Sequence, residues 1–296
     1  DLRVDQNRAQ QDEVSELRMD DVPVNAHPAE PRGDGHELVR DDPDFSGETV
    51  HLHGKTHGGV HGTDPALFER RDDLSRHVVD VIERYRAPSQ PVWEPFCGGL
   101  NVTRELARRG IDVIATDASW PLIALVQAVR DGWQPPAALS RDEWRAARAL
   151  PASNPLHGFA GFTSWGGKFF GGYPRNATNE DYFGGQRRVL LRDAPAPAHV
   201  QCVDFLAVEP WPIDALLYCD PPYAGRAGYA ACAPFDHNRF VERVGQWAAL
   251  GVTVLVSEYA FPLGECVWEF ERAAGLRGRE SRHVERIFKI GGKHNG

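Results

Sequence analysis

No stretch of the 296-residue chain approaches about 18 uninterrupted apolar residues, so a membrane-spanning helix and a membrane partner are not expected. A basic-then-apolar leader is missing as well, and no secretory signal is expected. Cysteine is sparse: Cys97, Cys202, Cys219, Cys232 and Cys266 are scattered, odd in number and lack C-x-x-C pairing. That pattern argues against a zinc cluster or a disulfide framework, and for reduced core thiols in a cytoplasmic protein. The dinucleotide fingerprint G-x-G-x-x-G is absent from the one strand-linked glycine turn, which counts against a nicotinamide or flavin enzyme. His51, His53, His57 and His61 sit among glycines with no second ligand cluster nearby, so a Gly/His loop is expected there and no metal.

Basic charge is also scarce, but unevenly so. The chain carries a net −9, and residues 1–50 alone hold 14 acids against 5 Lys and Arg, leaving 28 of each sign in the rest. That opening segment is aromatic-poor and broken by Pro23, Pro28, Pro31 and Pro43. It reads as a disordered acidic tail or linker, followed by one globular domain over 51–296. Within that domain residues 121–200 hold 9 basic against 6 acidic side chains, compatible with phosphate contacts without requiring them.

What is present is an alternation of strands and helices. An amphipathic helix is expected over Leu74–Tyr85, a strand at Trp93–Phe96, a helix at Val102–Arg109 closed by Gly110, and a strand at Asp112–Thr116. Pro121 introduces a helix over Leu122–Asp131, and a Ser140/Glu143 capping box opens one over Arg141–Leu150. From Pro151 to Pro197 the pattern dissolves into Gly, Pro, Asn and aromatics, and an irregular region is expected. Strands return at Val200–Val203, Ala215–Cys219 and Val252–Val256, with a helix from His237 to Leu250 that Asp236 caps. Such alternation implies an α/β domain with a mostly parallel sheet and helices on both faces.

Two motifs carry chemistry. Glu94-Pro95-Phe96-Cys97-Gly98-Gly99 links a strand to a helix, and the next strand ends in Asp117. This strand-turn-helix-strand-acid unit suits an adenosine-containing ligand, because glycines allow close backbone approach and a terminal carboxylate can hold ribose hydroxyls. Asp220-Pro221-Pro222-Tyr223 follows a buried strand. Its prolines stiffen the turn and remove donors, leaving a carboxylate and a carbonyl to accept from an exocyclic amine, with Tyr223 to stack on the ring. Cys219, mid-strand, invites a covalent mechanism, but its side chain is expected to point away from those of its neighbours.

Together these motifs resemble the S-adenosylmethionine-dependent N6-adenine DNA methyltransferases of the DNA adenine methylase (Dam-like, D12) class. Gln201-Cys202-Val203-Asp204-Phe205 is similar to that family's adenine-holding strand end. Gly161–Tyr173 resembles a glycine-aromatic segment of its phage-type members, and Val256–Tyr259, Glu265–Trp268 and Val284–Phe288 resemble their C-terminal strands. The family's N-terminal Gly-Gly-Lys motif is not clear before Glu94, where the chain reads Leu67–Asp73; Leu52-His53-Gly54-Lys55-Thr56 is a distant substitute.

The resemblance implies a Rossmann-like methyltransferase fold with a target-recognition insert at about 133–198. It implies S-adenosyl-L-methionine as cofactor and double-stranded DNA as partner, with no obligate protein partner evident. Asp220, Pro221, Pro222 and Tyr223 are the implied catalytic residues. Glu94, Phe96, Cys97, Gly98 and Gly99 would surround the methionine moiety, Asp117 the ribose, and Asp204 with Phe205 the adenine. In the insert, Trp165, Lys168, Tyr173, Arg175, Asn176, Arg187 and Arg188, interleaved with Phe169 and Phe170, are the candidate DNA contacts. Two other readings stay open at this point: methylation of another planar amine or amide (an RNA base or a protein glutamine), and a catalytically silent DNA-binding module.

Overall fold

The structure is a computed structural model that describes residues 65–164, 169–174, 182–191, 199–207, 214–223, 235–276 and 279–292. The acidic segment, the four clustered histidines, Leu52–Thr56, Cys232, Trp165, Lys168, Arg175 and Asn176 lie outside these residues. Helix α1 spans Pro65–Tyr85, β1 Val92–Glu94, α2 Asn101–Arg108, β2 Val113–Asp117 and α3 Trp120–Arg130. Next come α4 over Arg141–Arg148, α5 over Pro155–Phe162, α6 over Tyr182–Leu190 and β3 over His199–Cys202. Strand β4 is Leu216–Cys219, α7 His237–Ala249, β5 Val254–Glu258, β6 Glu265–Leu276 and β7 Arg279–Ile290.

The seven strands lie in the order β3-β2-β1-β4-β5-β7-β6, parallel from β3 to β5, with β7 antiparallel to both β5 and β6. This is the α/β architecture with a mostly parallel, Rossmann-like sheet expected from the sequence. Strands β1 and β4 are buried along their whole length, as strands covered on both faces must be. One face carries Val92, Leu216, Tyr218 and Leu255 against Val78, Val79 and Ile82 of α1. The other carries Trp93, Leu217, Cys219 and Val256 against Phe240, Val244 and Trp247 of α7. A third cluster joins α3, α4, α5 and α6 around Phe159, Trp144 and Leu125. Because β1 pairs with β2 on one side and β4 on the other, the order reverses between β1 and β4, and a crevice opens beyond their carboxyl ends.

Most helix boundaries follow the local signals. Ser140 and Glu143 form the expected capping box, Pro121 lies in the first turn of α3, and Gly110 takes φ 71° just past α2. Asp236 accepts from the Asn238 and Arg239 amides to start α7. Helix α1 begins at Pro65, well before the expected Leu74, with proline in its first turn and Ala66, Leu67, Glu69, Arg70 and Arg71 as good helix formers after it.

The larger correction concerns Pro151–Pro197, which contains α5 and α6 rather than irregular chain alone. Asn154 caps α5 by accepting from the Leu156 amide, with Pro155 at its first position. Its glycines read as breakers, but they serve contact. A Cβ on Gly158 would stand 2.3 Å from the Pro121 carbonyl of α3, and one on Gly161 would stand 2.2 Å from the Phe169 ring. Tertiary burial of an almost wholly apolar helix thus outweighs a weak local propensity.

Candidate active site

Every expected site element that the structure describes around the β1/β4 crevice is positioned by backbone. Glu94 ends β1, Asp117 ends β2, and Asp220 follows directly on β4. Between Glu94 and α2 the chain turns through Gly98 at φ 45° and Leu100 at φ 61°, a left-handed geometry that glycine accepts freely and leucine does not. The Leu100 side chain is 1% exposed, so burial of a large aliphatic group offsets that strain. The Cys97 amide donates to the Thr116 carbonyl at 2.9 Å, tying the turn to β2.

Asp117 ties it again. Its Oδ2 accepts from the Gly98 amide at 3.1 Å and its Oδ1 from the Ser119 amide at 2.9 Å. This carboxylate therefore holds the glycine turn and the start of α3 as well as facing the crevice. Desolvation raises its pKa, and the Ser119 and Gly98 amides oppose that rise. Beside it the Ser119 hydroxyl is buried with no hydrogen-bond partner among the described residues.

Glu94 is 3% exposed and accepts from the Thr103 hydroxyl on α2. Burial pushes its carboxyl from the ordinary 4.5 up to about 8; Asp220 and Asp117 push the same way, and the Thr103 bond pushes back. Three carboxylates from three adjacent strand ends thus converge, and the central one carries a proton at neutral pH. Between pH 4.5 and about 8 the folded chain holds a proton that the unfolded chain has released, so stability falls as pH rises through that window. Replacing Glu94→Gln keeps the shape and removes the titration. Thermal unfolding from pH 5 to 8.5 is expected to show the variant gaining several degrees on the parent toward the alkaline end. Parallel pH profiles for the two proteins would show that Glu94 ionises normally.

In the Asp220–Tyr223 turn Pro221 is buried, and Asp220 and Pro222 are half-exposed. Tyr223 departs from expectation. It is 3% exposed, its hydroxyl meets the Ser257 hydroxyl at 3.3 Å, and its ring stands edge-on to Tyr259 at 4.7 Å. It is a packed residue, not an open stacking platform, and the half-exposed Pro222 and Tyr259 are the apolar surfaces at this end of β4 and β5. Cys219 is fully buried on the α7 face, and desolvation holds its thiol well above its usual range, so it is no nucleophile. Cys97, likewise buried with a raised pKa, is structural. Cys266 is exposed and Cys202 half-exposed, so those two are not core thiols.

Phe96 and Phe205 come together at 5.2 Å, joined by Phe235 and Phe240 in one aromatic cluster. Phe205 is 7% exposed and acts as a wall of that cluster. Asp204 is exposed and spends Oδ1 on the Leu206 amide at 2.9 Å, a turn cap at the end of β3.

The described part of the insert is mostly packing. The Tyr173 hydroxyl donates to the Leu139 carbonyl at 2.6 Å, and Arg141 lies 5.3 Å over its ring. Phe170 is buried, and the Phe169 ring lies against Phe162 at 4.8 Å. Arg187 donates Nε to the Pro135 carbonyl at 3.0 Å. Arg188 is exposed. Tyr173, Phe169 and Phe170 are thus committed to the small helical layer rather than to a ligand, because an aromatic in a glycine-rich segment packs wherever glycine leaves room.

Ser257, Glu258 and Thr103 escaped the sequence reading. Glu258 is 4% exposed at the end of β5, next to the buried Ser257. Beyond the resemblance of Val256–Tyr259 to a C-terminal strand, the local signal was a polar pair ending the apolar run Val254–Val256. Among the described residues no group of His, Cys, Asp and Glu is placed to hold a metal ion, and no helix is long and apolar enough to cross a membrane.

No family model and no curated protein match this chain. Among solved structures it is similar to SMU.472, "a putative methyltransferase complexed with SAH", at 11% identity and a TM-score of 0.33. The match covers 76% of this chain and 53% of that one, so the chain spans about half the length of the structure it matches. At that level of likeness nothing about this chain's chemistry follows from it.

Proposed function

We propose that the protein is an S-adenosyl-L-methionine-dependent methyltransferase acting on the N6 amino group of adenine in DNA. The observation that carries the reading is the meeting of the Glu94–Gly99 turn and the Asp220–Tyr223 turn at the crevice between β1 and β4. One turn suits a nucleoside cofactor and the other an exocyclic amine, and adjacent strands bring them side by side.

The residues fit such a cofactor. Asp117 offers remaining acceptor capacity toward hydroxyls, and the buried Ser119 hydroxyl lacks a partner among the described residues. The Gly98 turn permits close approach, and Glu94 gives a carboxyl near where a cationic amino-acid moiety would lie. S-adenosylmethionine, when bound, supplies a methyl group activated by its sulfonium. A cation beside Glu94 favours its ionised form, so binding releases a proton and tightens as pH rises from 5 to 8.

Adenine N6 is a poor nucleophile because its lone pair is delocalised into the ring. Asp220 and the Pro221 carbonyl accept its two N–H bonds and draw nitrogen toward tetrahedral geometry, which frees the lone pair for the new N–C bond. Asp220 stabilises the developing ammonium and, being half-exposed, passes its surplus proton to solvent. The contribution of the protein is alignment and charge stabilisation, and no covalent enzyme intermediate is needed. A paired adenine must leave the stack to reach this turn, at a cost of a few kcal/mol. The basic and amide side chains Lys168, Arg175, Asn176, Arg187 and Arg188 are the proposed grip on the duplex. The half-exposed Pro222 and Tyr259 supply apolar surface for the flipped ring.

The test is transfer of labelled methyl from S-adenosylmethionine to duplex DNA, followed by mapping of the modified base. N6-methyladenine at a defined site is the expected product. Cofactor binding without methylated DNA, but with labelled RNA or protein, would move the substrate to another planar amine or amide. Absence of cofactor binding by calorimetry would reduce the chain to a DNA-binding module.

A further inference from the structure

Pro221 and Pro222 have no N–H, so the catalytic turn cannot be tied to its neighbours by their backbone donors. The register shows what replaces that tie. Tyr218 pairs with Leu255 and Cys219 with Val256, so Asp220 and Ser257 are lateral neighbours one step further along β4 and β5. Side chains alternate along a strand, which puts Tyr218, Asp220 and Ser257 on one face, away from the Cys219 and Val256 side. There the Ser257 hydroxyl meets that of Tyr223 at the far end of the turn. It lies 3.3 Å from the Tyr223 hydroxyl, within hydrogen-bonding reach. All three residues are buried, at 6%, 3% and 2% exposure for Ser257, Tyr223 and Tyr218. Serine and tyrosine hydroxyls each donate and accept, so either can be the donor in this pair.

We propose that Ser257 is a positioning residue for the reaction: its hydroxyl, bonded to that of Tyr223, clamps the far end of the Asp220–Tyr223 turn to β5 and so aims Asp220 at the target amine. The inference rests on the methyl-transfer reading above. The clamp works through Tyr223, whose ring is anchored a second time against Tyr259. Serine is suited to the place because alanine would lose the hydroxyl that meets Tyr223.

The experiment is a double-mutant cycle in the full chain with Ser257→Ala and Tyr223→Phe, each of which removes one hydroxyl and little volume. Each single variant is expected to lower kcat for DNA methylation by about 10- to 100-fold, the effect of misplacing a reacting group by a fraction of an ångström. KM for DNA and the Kd for S-adenosylmethionine should change by less than about twofold. The double variant should be no worse than the poorer single one, because both remove the same contact. Multiplicative losses, or full kcat in either single variant, would overturn the clamp, as would a drop in Tm with kcat unmoved. Hydrogen exchange of the Cys219, Asp220 and Tyr223 amides gives a readout independent of activity. Faster exchange at these amides in both variants is expected, and unchanged exchange would overturn the inference. A parent chain that methylates no DNA would sink the proposed reaction, and the exchange result alone would then decide whether Ser257 holds the turn.

Discussion

Asp220→Ala is expected to lower methyl transfer by about 10³-fold or more while S-adenosylmethionine binding stays within about twofold. The size follows from the proposed role: Asp220 is the only charged acceptor in its turn, and the Pro221 carbonyl alone cannot stabilise the ammonium that would develop on N6. The selectivity follows from placement, because the cofactor would meet the Gly98 turn and the ends of β1 and β2, while Asp220 follows β4. A secondary effect gives an internal check. Asp220 is one of the charges that hold the Glu94 carboxyl near pH 8, so its removal should shift the pH dependence of cofactor binding toward lower pH. Labelled-methyl incorporation and calorimetry on the same preparation measure both. A comparable fall in cofactor affinity would show that Asp220 faces the cofactor.

Asp117→Ala should produce the largest loss of cofactor affinity, about 2–3 kcal/mol or roughly 30- to 150-fold in Kd. Two effects act together. The variant loses a half-buried acceptor for ligand hydroxyls, and it leaves the Gly98 and Ser119 amides without the carboxylate that accepts from both. Asp117→Asn restores one carbonyl oxygen and should recover part of the loss. Asp204→Ala is the comparison: that side chain is exposed and caps a turn, so its replacement should cost less than about 1 kcal/mol. Equal affinities for the Asp117 variant and the parent by calorimetry would remove β2 from the cofactor site.

Legibility from sequence tracked how local each cause was. The Ser140/Glu143 box, Pro121, Gly110 and Asp236 act within a few residues, and each marks the boundary it was expected to mark. The glycine-aromatic stretch misled because Gly158 and Gly161 answer to Pro121 and Phe169, neighbours that no periodicity names. For the same reason Tyr173 and Phe170 suggested ligand contacts and turned out to fill a helical layer.

The alternation of strands and helices outside Pro151–Pro197, the acidic character of the opening segment and the two glycine- and proline-built turns were legible in sequence alone, because backbone stiffness, capping and period-two burial are properties of short stretches. That Glu94, Asp117 and Asp220 meet, that Glu94 keeps a proton near neutrality, and that Tyr223 turns inward to Ser257 were decided only in three dimensions. Lateral neighbours in a parallel sheet are set by register between strands distant in the chain, and a carboxyl's protonation is set by how much water and which charges that register leaves around it.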